Sequence, residues 1–174
     1  DIFSVRLPSM NYLIEADRDL QQLLVAERSM IFANAKSDTF KGMLQDYQEN
    51  VKQSDERWEK YKALPTSPEE EAIIPKYEKA KDEWKKISGR VVNGRVADTR
   101  GGRREALDLT LGLAKEKFEE MRNYIDRLTG INQGLAVKAR EAASATYRST
   151  LIILLAVSGA GLLVGVLLMW GISR

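Results

Sequence analysis

Apolar and small side chains recur along most of this chain at alternating steps of three and four, the spacing of a helix that buries one stripe. The longest series passes through Leu107, Leu111, Ala114, Phe118, Met121, Ile125 and Leu128 and resumes at Leu135, Ala139 and Ala142. A second stripe is Phe40, Leu44, Tyr47, Val51, Ser54, Trp58 and Tyr61, and a third is Ile73, Tyr77, Ala80, Trp84, Ile87 and Val91. Nearer the start, Leu13, Leu20, Leu24 and Ile31 keep step, widened by Leu23 and Met30. Four amphipathic helices are therefore predicted.

The breaks between the stripes have local causes. Ser37, Asp38 and Thr39 offer capping side chains before Phe40, and Leu64, Pro65, Thr66, Ser67 and Pro68 stop the second helix. Ser67 stands three residues before Glu70 with Pro68 at the first helical position, the pattern of a capping box. Residues 98–104, with Gly101 and Gly102, mark the last turn. Pro8 and Pro75 predict kinks or delayed helix starts, since a proline supplies no N–H to the preceding turn. Short connections make neighbouring helices antiparallel, so the expected fold class is all-α, an up-down-up-down four-helix bundle. No Pro follows Arg103, and the fourth helix is predicted to run unbroken from there.

That helix ends in residues 151–172, which carry no charged side chain and lie between Arg148 and Arg174. At about 1.5 Å per residue the run measures roughly 33 Å, enough for a hydrocarbon core of roughly 30 Å. The division expected is a helical bundle over 1–149, a transmembrane helix over 150–173, and the start of a further linker at 174. The fourth helix descends into the membrane, so the turns near Ser37 and Gly101 are membrane-distal and the one near Pro65 is proximal. The first helix must rise from the membrane, which implies a span before Asp1.

Composition then removes chemistry. The chain has 174 residues with no His and no Cys, which rules out disulfides, thiolate or imidazole metal sites and His-dependent nucleophiles. Gly101 and Gly102 are not followed by the Gly-Lys-Ser/Thr of a phosphate loop. A formal net charge of +2 gives no argument for nucleic acid. A binding module is expected rather than an enzyme, with no cofactor.

A few residues stand out against these patterns. Glu27 falls on the apolar stripe of the first helix, where a carboxylate needs a partner; the plain expectation is a core ion pair or an open seam position. Asn132 replaces an apolar residue in the fourth seam, where a buried Asn can fix register and a dimeric state. The parallel dimer expected would meet through helices one and four, with Met121 and Leu128 on its seam. Gly130 and Gly134 point to a softened rod or to close approach of a neighbouring helix. Gly161 and Gly165 form a small-xxx-small pair within the span, suited to helix dimerisation, and Trp170 suits the headgroup layer at its far end. Trp58 and Trp84 read as core. Arg90, Arg95, Arg100, Arg103 and Arg104 gather at the distal turn, either as an ordinary solvated loop or as an attractor of anions.

The run Asp17, Arg18, Asp19, Leu20 and the close of the span at Ile172, Ser173, Arg174 resemble, with four heptad helices between them, methyl-accepting chemotaxis proteins. That family places a homodimeric four-helix sensor in the periplasm and opens a HAMP-like cytoplasmic linker after its second span. The resemblance implies an inner-membrane receptor that binds a small molecule and passes a helix displacement inward, its cytoplasmic signalling partners engaged by the part beyond Arg174. Sensor histidine kinases share this front end, and a structural membrane-anchored coiled coil is the other alternative. Well-studied amino-acid receptors of the fold carry several Arg on distal helix one, whereas residues 25–36 here contain only Arg28. The antiparallel order sets Arg28 and Asn34 level with Arg103 and Thr110, and Arg90 and Arg95 add positive field. Those six residues are the candidate site for a carboxylate or other small anion.

Overall fold

The computed structural model describes residues 2–173; the linker start expected at Arg174 lies outside them. Helix one comprises a π-helical turn, Ile2–Arg6, and α1, Leu7–Met30. Pro8 lies in the first turn of α1 and has no N–H for the carbonyl four residues back, a gap that the wider preceding turn accommodates. Helix two is α2, Asp38–Lys62; helix three is a single turn, α3, Pro68–Glu71, followed by α4, Ile74–Ala97. Helix four is α5, Arg100–Leu111, and α6, Leu113–Ile172. No strand occurs among the described residues.

The caps follow from side-chain chemistry. Ser37 Oγ accepts from the Phe40 N–H at 3.1 Å. Ser67 Oγ accepts from the Glu70 N–H at 3.3 Å, while the Ser67 N–H donates to Glu70 Oε2 at 2.8 Å, completing the capping box. The third turn is tighter than the sequence suggested. Asp98 takes a left-handed conformation (φ 49°) and Thr99 caps α5, so Gly101 and Gly102 fall inside the first turn of α5. Gly102 serves packing there: a Cβ on it would lie 2.7 Å from the Gly94 carbonyl oxygen, and one on Gly94 2.6 Å from that of Gly102. Two glycines thus let the backbones of α4 and α5 cross at contact.

Helix one turns a strict three-four seam inward: Arg6, Ser9, Leu13, Ala16, Leu20, Leu23, Glu27 and Met30 are all buried. This differs from the stripe through Leu24 and Ile31; Leu24 lies on the flank and Ile31 is only half-buried. Leu13, Leu20 and Leu23 meet Trp58, Tyr61, Tyr77, Trp84, Phe118, Met121, Ile125 and Leu128 in one core. Trp58 and Trp84 are core residues as expected, and truncating one to Ala costs about 3–5 kcal/mol.

Helix four is interrupted once, at Gly112, whose φ −107° and ψ −106° are not helical. The interruption shifts the inward positions by one residue. Ala106 and Thr110 face the core, whereas Leu107 and Leu111 are 39% and 67% exposed. Below it α6 continues for 60 residues, about 90 Å. Beyond residue 139 its described side chains lie almost wholly outside the bundle. Its apolar stretch has a mean hydropathy of 2.8 and no buried residue, which makes it long and apolar enough to cross a membrane.

Candidate functional site

Two polar junctions close the ends of the bundle, and each joins all four helices. At the distal junction Glu27 is completely buried on α1. Its Oε1 accepts from Thr110 Oγ1 at 2.7 Å, and its Oε2 accepts from Ser88 Oγ. The Ser88 proton is thereby committed, so the Tyr47 hydroxyl, 2.9 Å away, donates to Ser88. Burial pushes the Glu27 carboxyl above the ordinary range, and the bonds from Ser88 and Thr110 with the charge of Arg28 offset only part of this. Neither the core ion pair nor the solvent-open seam expected for Glu27 is formed. Its partners are neutral hydroxyls.

Three basic residues near the distal turn, Arg90, Arg95 and Arg103, are occupied by the fold itself. Arg95 is buried and donates from Nε to the Met30 carbonyl at 2.9 Å and from Nη2 to the Ala33 carbonyl at 2.7 Å. It therefore serves the last turn of α1, whose final carbonyls have no partner within the helix. Its Nη1 reaches Asp98 at 3.4 Å, and its guanidinium carbon lies 5.8 Å from the Phe40 ring centroid. Arg90 pairs with Glu105 at 2.6 Å, and Arg103 donates to the Asp98 carbonyl at 2.6 Å and to its carboxylate at 2.9 Å. Asn34 shapes the first turn: its Oδ1 accepts from the Lys36 N–H at 3.0 Å. Thr110 is buried on Glu27.

Arg28 differs from these five. It is half-buried at the edge of α1, and its Nε is buried without a hydrogen-bond partner. Of the six candidates, Arg28 and Thr110 are brought level across the helix-one and helix-four boundary, with Arg28 offering an unanswered donor. On the opposite side of helix one an open groove of about 590 Å³ runs between α1 and α2, lined by Arg18, Gln22, Val25, Ser29, Met43 and Asp46 among others.

At the junction nearer the apolar end of α6, Glu70 is fully buried, and it accepts from Tyr61 Oη at 2.7 Å, Asn132 Nδ2 at 2.7 Å, Arg6 Nη1 at 3.0 Å and the Ser67 N–H at 2.8 Å. Arg6 also donates to Asn132 Oδ1 at 3.2 Å. Burial pushes the Glu70 carboxyl up, but the Ser67 backbone N–H, Tyr61 and Asn132 outweigh it and hold the group below the usual carboxylate range. The start of helix one, the end of helix two, the start of helix three and helix four therefore meet at one level. Asn132 is bonded and fully buried within its own bundle, and Met121 and Leu128 are likewise interior. A Cβ on Gly130 or Gly134 would meet nothing within 4 Å, and both line an open groove bordered by Glu69 and Ile73 of helix three. Gly161 and Gly165 also face open space, and Trp170 is 58% exposed.

The sequence held a signal for both junctions that the apolar series concealed. Arg6, Leu13, Leu20 and Glu27 are seven residues apart, so one heptad position carries an ion at each end and leucine between. Among the described residues no cluster of carboxylates could hold a metal ion.

The family model described as a four helix bundle sensory module for signal transduction matches residues 1–147. No curated protein and no solved structure matches the chain.

Proposed function

The chain belongs to the four-helix-bundle sensory modules of chemoreceptors, and from that premise we propose that it detects a small anionic solute outside the cell. In this reading residues 1–149 are the periplasmic ligand-binding domain, 150–173 span the inner membrane, and 174 opens the cytoplasmic linker. The observation that carries it is the continuity of α6, Leu113–Ile172, which leads from beside the distal junction to the apolar end of the chain. A displacement at Thr110 has one interruption, Gly112, and then an unbroken rod to follow.

The solute binds at Arg28. Its guanidinium stands at the edge of the bundle with an unanswered Nε, and a planar fork of N–H donors suits a carboxylate or phosphate-like oxygen pair. The receptor acts as a homodimer, and helix one supplies its face. Leu7, Ile14 and Val25 are exposed on α1, and at about 100° per residue they fall within roughly 20° of one another, facing away from the core seam. Arg28 flanks that stripe, so an anion held there sits where a second copy can complete the site.

Titration calorimetry of the wild-type chain and Arg28→Ala with small carboxylates and inorganic anions tests the site. Binding by wild type and its loss in the variant, with the melting temperature held within a few degrees, is expected. Equal affinity in both would move the site to the α1 and α2 groove.

A further inference from the structure

We propose that Glu27 is a proton-binding site through which the bundle reads external acidity. The site needs no cavity, because its ligand is a proton from bulk water. What it needs is a carboxylate that the fold encloses without neutralising, and Glu27 is that group. It is 0% exposed, and its two bonds come from the uncharged hydroxyls of Ser88 and Thr110.

The surroundings on every packed element bear this out. On α1, Arg28 lies at the rim and makes no bond to Glu27. On α2 the facing group is Tyr47, itself kept neutral by burial. On α4, Ser88 lies between Lys85, bound to Asp55 at 2.9 Å, and Arg95, bound to the carbonyls of Met30 and Ala33. On α5, Asp108 faces Arg104 at the surface, and on α6 Lys117 is held between Glu83 and Glu120. The charge of Arg28 reaches Glu27 without a bond and offsets only part of the cost of burial, and an enclosed carboxylate in that position takes up a proton more readily than one in water. Glu70 is the internal contrast. Equally buried, it has Arg6 and three further donors, and it stays charged.

Protonation changes which groups donate. The added proton makes one carboxyl oxygen a donor, so one of the two hydroxyls that donated to it must now accept or leave. Ser88 can accept from Glu27 and turn its own proton to Tyr47. Thr110 can instead bond the carbonyl of Ala106, one turn earlier on α5. The first change rewires the tie between helix one and helix three, and the second releases helix one from helix four, two residues before the break at Gly112. The proton therefore resets how α5 is held at the single interruption of the output helix. This reading is independent of the anion site.

The test uses the full chain in lipid nanodiscs with no added solute, titrated between about pH 4 and pH 8 around the ordinary carboxylate value. Infrared difference spectra should show the C=O stretch of a buried, protonated carboxylic acid that vanishes with a midpoint above the ordinary glutamate range. Glu27→Gln should lack that band. Thr110→Val, which removes a donor to the charged form, should move the midpoint to higher pH. The chain has no cysteine, so spin labels can be placed at Arg104→Cys and Glu119→Cys, on the two sides of Gly112, with unlabelled chain in excess. Their separation should change over the same pH range and stay at its low-pH value in Glu27→Gln. The proposal is overturned if the band persists in Glu27→Gln, if the midpoint is unmoved in Thr110→Val, or if the labels follow pH alike with and without Glu27. Should Glu27→Gln not fold, the Thr110→Val midpoint decides alone. Loss of anion binding in Arg28→Ala with this titration retained separates the two sites.

Discussion

Arg95 and Glu70 are buried ions that the bundle keeps charged by surrounding them with donors or acceptors of opposite sense. Arg95→Ala strands the carbonyls of Met30 and Ala33 and should lower unfolding free energy by about 2–3 kcal/mol, the value of bonds to a charged group. Arg95→Lys should restore little of it, because one ammonium cannot occupy the separate positions of Nε and Nη2; denaturant melts of the three proteins make the comparison. The two buried carboxylates should give the stability profile opposite slopes. The Glu70 carboxyl is depressed in the folded state, so its contribution is present above the unfolded value of about 4.3 and is lost as pH falls. The Glu27 carboxyl is raised, so its contribution is complete below about 4.3 and is lost as pH rises through the folded value. Melting temperatures measured against pH should lose the rising-pH decline in Glu27→Gln and keep it in a Glu70→Gln protein that still folds.

Within the elements, glycines on one helix are predicted to behave in opposite ways. Gly89 and Gly94 both lie in α4, but a Cβ on Gly89 meets nothing within 4 Å whereas one on Gly94 would press on the Gly102 carbonyl at 2.6 Å. Gly89→Ala should stabilise the chain by up to about 1 kcal/mol through helix propensity. Gly94→Ala should destabilise it, since the backbones of α4 and α5 must then part; thermal melts of the pair decide. This contrast marks the limit of what was legible beforehand. Four helices, the Ser37 cap and the Ser67 capping box could be read because heptad spacing and caps are properties of a few neighbouring residues. The phase of helix one was misread because Leu24 and Ile31 offered a second apolar stripe beside Ala16, Leu23 and Glu27. The break at Gly112 was hidden, since an isolated glycine is tolerated in a helix and the leucines at 107 and 111 continued the repeat on paper. Arg95 looked like part of a basic tip because the carbonyls it serves lie more than 60 positions away in sequence. Arg28 could be located by height in the bundle; that its neighbours would be satisfied by the fold could not.

For the molecule as a whole, the core seam of helix four and the outer stripe of helix one assign opposite faces. Cysteines introduced at Ile14 and Val25, which are 58% and 64% exposed, should form crosslinks between copies. Met121→Cys, fully enclosed in its own bundle, should not. Crosslinking at Met121 without any at Ile14 or Val25 would reverse the assignment of faces. The unbroken course of α6 has a consequence for azimuth. A rigid helix conveys rotation as faithfully as translation, and past residue 139 no described element of this chain packs against it to absorb a twist. Each residue inserted between 140 and 149 turns everything below it by about 100° and lowers it by about 1.5 Å. Seven inserted residues lengthen the rod by about 10 Å yet return its faces to within about 20°, whereas two lengthen it by only about 3 Å and turn them by about 200°. Crosslinking through Gly165→Cys should therefore survive the longer insertion and fail with the shorter one, so that the angular phase of the helix, rather than its length, decides which faces meet below the bundle.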